Sequence, residues 1–370
     1  MSNYLIKPID YTWNRTMLDI LRGSPIVTDR MTVCFDRQPD LFALARCKFD
    51  DFFYSGLFDG DTLKGFGMVG YHTVLVNGEP TEVFCGRDLY ILPEARGNGF
   101  IAKSTEGHFQ ENRNRAVIGY GLIMHGNKAS LRLVGRRPEG NSYSPKSRII
   151  NKLLVKTILL ARPVSPAQKY KIRRAQMEDI PVIVRLLNKE HSARLFGNIY
   201  SEASFPFYLQ RNTGLEISDY FVAFGSDGKC CGVCAAWDLS LMKQTRVLQY
   251  GLSFLPAQIA YKSFSVLFNR PPLPKPGDHF REVTITDYAV IGRNPEIMNA
   301  LLRTVYREYR QSGYHFMIWG SSIDDPLLAA AKGFMSQHVI SNIVLFSTND
   351  EWLGEGVVKN NLPYIDVSAI

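Results

Sequence analysis

The run LLARPVSPAQKYKIRRA, Leu159 to Ala175, separates two stretches of chain that follow nearly the same order of strands and helices. Pro163 and Pro166 remove backbone donors just after the apolar run LLVKTILL, and a fresh pattern starts at Tyr170. At 370 residues the chain is also too long for one comfortable core. Two domains are expected, residues 1–165 and residues 166–370. In the first, RMTVCF reads as a strand and QPDLFALARCKFDD as a helix. Three strands follow, turned at Asp59–Gly60 and Asn77–Gly78, then a helix from Phe100 to Arg115, the strand AVIGYGLIMHG, the short helix NKASLRLVGR and a last pair of strands. In the second, YKIRRA is a strand and QMEDIPVIVRLLNKEH a helix with an acidic, proline-bearing first turn. The strands of DYFVAFGSDGKCCGVCAAWDL and REVTITDYAVIG come next. Then follow the helix PEIMNALLRTVYREYRQSG, with Ile297, Leu301, Val305 and Tyr309 as one stripe, the strand YHFMIWG, the helix DPLLAAAKGF and the strand HVISNIVLFS. The duplication is one of architecture, not of residues. The expected class is α+β, each half a mixed, mostly antiparallel sheet flanked by helices. An insertion, Leu252 to Phe280, carries the apolar run FLPAQIAYKSFSVLF and the stiff connection RPPLPKPG, and reads as packing or an oligomer contact, so a homodimer is one expectation.

A hydrophobic content of 45% and a charged content of 21% exclude a disordered chain. The net charge of +8 favours anionic partners, but the Lys and Arg residues are scattered as on a solvated face, so nucleic acid is not expected as a partner. No run of about 18 apolar residues exists, and no membrane partner is expected. The amino terminus MSNYLIKPIDYTWNR lacks the apolar centre of a signal peptide, so Cys34, Cys47, Cys85, Cys230, Cys231 and Cys234 read as reduced thiols of a cytoplasmic protein. CCGVC contains a C-x-x-C, but no second pair completes a metal shell, and the cysteines read as small buried strand residues. No metal is expected.

Chemistry concentrates in LYILPEARGNGFIAK, Leu89 to Lys103. An apolar strand, ended by Pro93, passes through Arg96, Gly97, Asn98 and Gly99 into a helix starting at Phe100. A helix amino terminus offers unpaired N–H groups and a positive dipole end, and alternating glycines let a diphosphate come close to them. Arg96 adds a charge. Taken alone such a glycine turn is as readily a tight corner.

With strand before and helix after, this segment resembles the GCN5-related N-acetyltransferase (GNAT) superfamily, whose acyl-coenzyme A signature is Q/R-x-x-G-x-G/A. Arg96 fills the first position and Gly99 the fourth, while the sixth is Ile101, where the family has Gly or Ala. The strand and helix order of both halves extends the resemblance over nearly the whole chain as a tandem pair. The resemblance implies two strands that splay apart to admit pantetheine. It implies that Leu89, Tyr90 and Ile91 pair with it and polarise the thioester carbonyl, and that Arg96 to Ile101 hold the diphosphate. It also implies that Asn127 touches the cofactor arm. It implies acetyl-CoA or another acyl-CoA as cosubstrate, and transfer to a small-molecule or peptide amine held near the cleft between the domains. The family's usual acid, a tyrosine, falls near Val134 here, so the proton is expected from elsewhere, from Tyr143 in the loop beyond or from water. For the base, Asp88 leads, with Glu82 and His125 beside it, and each also fits an ordinary strand residue. Gly292, Arg293, Asn294 and Pro295 stand at the matching bend of the second half, a good helix start with one glycine, so the donor is assigned to the first half. Two other readings stand beside this one: a non-catalytic acyl-CoA-binding or interaction module, and aminoacyl transfer from a charged tRNA.

Overall fold

Asn77 and Gly78, with φ of 54° and 89°, reverse the chain between two long strands, because a two-residue turn of this hand matches the twist of the strands it joins. The strands are β5 (Thr62–Val76) and β6 (Glu79–Ile91). They belong to a computed structural model that describes residues 4–112, 114–135, 143–349, 352, 354 and 362–369.

The other elements of the first half are β1 (Tyr4–Ile9), α1 (Asn14–Arg22), β2 (Ile26–Val27), β3 (Met31–Asp36), α2 (Ala43–Lys48), β4 (Asp51–Asp59), α3 (Phe100–Glu111), β7 (Ile118–Met124), α4 (Lys128–Leu131) and β8 (Lys146–Leu159). The second half holds β9 (Lys171–Arg174), α5 (Ile180–His191), α6 (Phe205–Arg211), β10 (Tyr220–Phe224), β11 (Cys230–Trp237) and β12 (Gln244–Tyr250). It continues with α7 (Leu255–Leu267), β13 (Glu282–Val290), α8 (Pro295–Gln311), β14 (Phe316–Ser322) and β15 (Ser336–Ser347). The mixed architecture agrees with the expected class. Several details differ. β1 and α1 give no signal above, although α1 buries Met17, Leu18, Ile20 and Leu21. The turn after β4 is Gly60–Asp61, and β8 is one strand where a pair was expected. DPLLAAAKGF forms a short 3-10 segment, Pro326–Ala331.

Twelve strands form one sheet in the order β1-β4-β5-β6-β7-β15-β8-β14-β13-β11-β10-β9. β15, the last strand among the described residues, lies between β7 and β8 of the first half, pairing Ser341 with both Met124 and Leu153. β8 in turn pairs with β14, from Phe316↔Leu159 to Ser322↔Leu153. The two halves therefore exchange strands at their boundary, and a division at 165/166 follows chain order but not the sheet. A second sheet, β12-β3-β2, likewise joins residues of both halves, with Gln244 opposite Asp36.

Packing follows from the patterns. The stripe Ile297, Leu301, Val305, Tyr309 on α8 is buried against Trp319, Val283 and Ile285 of the sheet. Where the halves meet, Val74, Val76 and Ile118 pack on Leu195, Phe196, Ile343 and Leu345. At roughly 1.5–3 kcal/mol for each large apolar side chain removed from water, this seam is a principal source of cohesion. Backbone bonds reinforce it, Leu75 N–H donating to Gly197 and Phe196 N–H to Leu75. Lys48 on α2 also reaches Asp366 near the carboxyl terminus at 2.8 Å.

Candidate functional site

β6 and β7 run parallel but pair only from Phe84↔Gly119 to Gly86↔Gly121. β6 continues to Ile91 and β7 to Met124, and among the described residues no hydrogen bond joins them beyond Gly86 and Gly121. The cause lies on the other edge of β6. Met68 faces Arg87 and Phe66 faces Tyr90, so Gly67 alone stands opposite both Asp88 and Leu89. This is a β-bulge, and Asp88 takes the left-handed conformation at φ 54°. A bulge bends its strand and increases the local twist, which turns Leu89, Tyr90 and Ile91 away from β7. Leu89 and Met124, one on each strand beyond the paired stretch, are 43% and 50% exposed.

The gap leads to the glycine turn. Gly97 and Gly99 have φ of 84° and 72°, a conformation that costs other residues roughly 1–2 kcal/mol. A Cβ on Gly97 would meet nothing within 4 Å, and one on Gly99 only Lys103, so backbone conformation rather than space selects glycine here. Gly99 caps α3 with no side-chain bond to the first N–H groups. Arg96, Gly97 and Gly99 are exposed, while Phe100 is buried against Leu57 and Ala95 and anchors the helix. Asn98 donates to the Ala95 carbonyl at 3.0 Å and Arg96 to the Ile91 carbonyl at 3.2 Å, which ties the turn to the strand it leaves. Ile101 is half-buried in the first turn of α3, the bulk there being a departure from the signature. The cradle fits a diphosphate by its open, uncapped N–H groups.

The candidates for proton transfer fare differently. Asp88 is 5% exposed, and both its oxygens are taken: Arg37 donates to Oδ2 at 2.7 Å and Oδ1 at 2.9 Å, and the Tyr54 hydroxyl donates to Oδ2 at 2.9 Å. Burial pushes this carboxyl up, but the Arg37 and Arg87 guanidiniums outweigh it and hold it well below the usual carboxylate range. A carboxylate so held does not accept a proton near neutrality; here Asp88 fixes the bulge rather than acting as a base. Glu82 accepts from Arg115 at 2.9 Å. His125 is exposed just past the end of β7, level with the gap. Asn127 is exposed, and its oxygen accepts from Ser130 N–H at 3.1 Å as the cap of α4. Tyr143 does not join this group: it packs with Tyr71, Phe84 and Phe109, its N–H donating to Glu106 on α3.

Other residues reach the bulge from afar. Arg37 follows β3, and Tyr54 lies on β4. Lys243, at the start of β12, feels the charges of Arg37, Arg87, Asp88 and Glu282, and its ammonium sits 4.6 Å from the Phe35 ring centre. Burial, helped by Arg37, pulls Lys243 down to about 7. Burial pushes Glu282, on β13, up to about 7 against the Thr245 hydroxyl, which donates to it at 2.8 Å, and against Lys243. Lys243 thus stands within reach of the charges at the bulge and of Glu282, both groups coming from the second half. No spacing marks them in the sequence.

The matching place in the second half is closed. β13 and β14 pair from Glu282↔Phe316 to Thr284↔Ile318, and a bulge again follows, Cys234 standing opposite Asp287 and Tyr288. Here the Tyr288 hydroxyl crosses the gap, 3.0 Å from Ser321 Oγ and 3.2 Å from the Gly320 carbonyl. Arg293, at the bend that corresponds to the glycine turn, donates to Asp325 at 2.6 Å, and the fully buried Arg194 joins Asp325 at 2.7 Å and Glu190 at 2.6 Å. Side chains of this chain fill the second slot. Among the described residues no cluster of His, Cys, Asp and Glu has the arrangement of a metal site, and Cys230, Cys231 and Cys234 are free thiols on β11.

No protein-family model matches the chain, and no curated protein matches it in sequence. Solved structures do. An N-myristoyltransferase of Saccharomyces cerevisiae with bound myristoyl-CoA superposes on 94% of this chain and 83% of its own, at 12% identity and a TM-score of 0.60. A GCN5-related N-acetyltransferase from Sphaerobacter thermophilus covers 85% of this chain and 82% of its own, at 14% identity and a TM-score of 0.53. Another, from Anabaena variabilis, covers 94% and 73% at 12% identity and a TM-score of 0.50. At these identities the likeness is one of fold: the chain has the tandem GNAT architecture.

Proposed function

We propose that this protein transfers an acyl group, acetyl in the first instance, from an acyl-coenzyme A to an amine. The observation that carries the reading is the β6/β7 gap opening onto the exposed, uncapped turn at Gly97 to Gly99. An unpaired strand edge beside an open helix start suits a pantetheine arm between strands and a diphosphate at the helix. Bound acyl-CoA supplies the activated thioester. The chain's residues then do the rest. Arg96 and the first N–H groups of α3 hold the diphosphate, Leu89 and Met124 line the arm, and the unpaired edge of β6 at Leu89 and Tyr90 faces the carbonyl whose oxygen gathers charge. Arg37 and Tyr54, through Asp88, keep that edge turned outward.

In this reading residues 1–165 carry the donor and residues 166–370 form the acceptor side. As the C–N bond forms and the C–S bond breaks, coenzyme A leaves, and the one proton that the attacking amine must lose passes to the Lys243–Glu282 pair, since groups that titrate near neutrality suit that task. The test is calorimetry with acetyl-CoA, followed by thioester consumption over a panel of amines at several pH values. Binding with turnover, and a pH profile whose limb near 7 disappears in Glu282→Gln, is expected. Absence of binding at millimolar acetyl-CoA would sink the proposal, and binding without turnover on any amine would leave only a cofactor-binding module.

A further inference from the structure

α7 is apolar all round, yet it lies on the surface. Along Leu252 to Phe268 the only charged side chain is Lys262, and Ser265 is the only buried residue of the helix. Its inner side packs Tyr261 and Phe264 toward the proline connection, the Tyr261 hydroxyl donating to the Pro271 carbonyl at 3.1 Å. Its outer side presents Leu255, Ile259, Val266 and Leu267, with Leu252 just ahead of it. Leu252 is 90% exposed, Val266 81% and Leu267 77%. A helix with apolar residues on every side is ordinarily covered, and an outward-facing set this large marks an interaction surface.

Charge selects the partner. From Leu239 to Gly277 there is no Asp or Glu, whereas Lys262 and Lys275 are exposed. Both lysines border a groove of about 400 Å³ between α7 and the proline connection, whose other walls include Tyr250, Ile259 and Leu273. A second copy of the chain laid on this face would bring Lys262 and Lys275 toward their own kind with no acid in the segment to answer them. An anionic bilayer answers both features, apolar side chains entering the acyl boundary and ammonium groups meeting headgroup phosphates. Among the described residues no helix is long and apolar enough to cross a membrane, so the contact is peripheral.

We infer that α7 and the proline connection dock this protein on an anionic lipid surface, Leu252, Val266 and Leu267 entering the bilayer and Lys262 and Lys275 holding headgroups at the groove. This differs from the expectation, drawn above from the lack of a long apolar run, that no membrane is a partner. A run length tests for spanning, not for lying in the interface.

The experiment is vesicle flotation of the full chain with phosphatidylcholine alone and with phosphatidylcholine mixed with phosphatidylglycerol. Expected are retention on the mixed vesicles, weakening as salt rises from about 0.1 to 0.5 M, and at least a roughly tenfold loss in the double variant Val266→Asp, Leu267→Asp. Lys262→Glu with Lys275→Glu should lower binding to the mixed vesicles. These positions are exposed, and an unchanged melting temperature checks the fold; Leu252→Asp serves if the double variant melts early. Failure of the native protein to float with mixed vesicles overturns the inference, as does equal flotation of the apolar-to-acid variants. So does a dimer in light scattering that Val266→Asp, Leu267→Asp turns into monomers, which would give the face to a second copy.

Discussion

Asp88 and Asp287 stand at the same point of two β-bulges, with φ of 54° and 43°, and each has a buried side chain. The pairing around them is identical in form: Arg87 and Tyr90 lie opposite Met68 and Phe66, as Thr286 and Ala289 lie opposite Ala235 and Val233. Their partners differ. Asp88 is gripped by the Arg37 guanidinium, whereas Asp287 accepts from the hydroxyls of Tyr200 at 2.7 Å, Tyr208 at 2.8 Å and Tyr220 at 2.5 Å. Burial and the nearby Asp366 push the Asp287 carboxyl up, the opposite of Asp88. Aspartate suits both bulges because it tolerates the left-handed conformation better than most side chains.

Arg37→Ala should cost about 3 kcal/mol, since it removes the two-pronged cation from a buried carboxylate and leaves only Arg87, 3.4 Å away. Adding Asp88→Asn to Arg37→Met should recover most of that loss, because neither partner then carries charge. Chemical denaturation of the three variants measures this. Asp88→Asn alone should lower stability while keeping a measurable rate. A rate abolished without loss of stability would restore Asp88 as a base.

Gly99→Val and Gly292→Val place a branched residue at φ of 72° and 64°, so both should lose roughly 1–2 kcal/mol of stability. Only Gly99→Val should abolish CoA binding. Calorimetry on the native chain should give one CoA per chain, because Tyr288 and Arg293 occupy the second slot. A stoichiometry of two would contradict that closure.

Acid should destabilise the protein from about pH 6.5 downward, the three depressed histidines outweighing the raised carboxyl of Glu282, which works the other way. Burial pulls His72 and His108 down to about 4 and His191 to about 3, Arg115 adding to the fall at His108 and Arg194 at His191. The unfolded chain binds these protons near pH 6.5 and the folded chain does not, so stability is full above about 6.5 and falls as pH drops toward 4. Each depressed histidine contributes on the order of 1.4 kcal/mol per pH unit in that window. Melting temperatures from pH 7.5 to 4.5 should show the slope, and His191→Gln should make it shallower.

Residues 1–165 expressed alone should not form a stable sheet. β15 supplies the partner for the free edge of β7 and for one edge of β8, while β14 supplies the other. The fragment would expose strand edges prone to aggregation, and addition of residues 166–370 in trans should restore solubility. A monomeric, cooperatively melting fragment would show that the first half completes itself some other way.

Much of this architecture was legible where a local pattern was strong. The stripe on α8, the Asn77–Gly78 turn and the glycine turn before Phe100 all announce themselves within a few residues. The strand exchange did not, because the apolar run of β15 is the same whether its neighbours are β14 and β8 or β7 and β8. The bulge at Asp88 was equally silent: an extra residue in a strand leaves no mark on alternation when the strand is as mixed as GRDLYIL. For that reason Asp88 looked like a base rather than the anchor of a bend. Arg37 lies 51 residues from its partner, and Lys243 lies in the other half, so only the fold brings it within reach of the bulge.

The place of β15 also sets a clock for synthesis. Its last residue, Ser347, is made roughly 190 residues after β8 ends at Leu159, an interval of about 10–40 s at ordinary rates of translation. Through that interval the nascent first half lacks the strand that fills the space beside β7. The donor slot is thus finished only once β15 has been made, so no nascent chain that stops short of it carries a complete one.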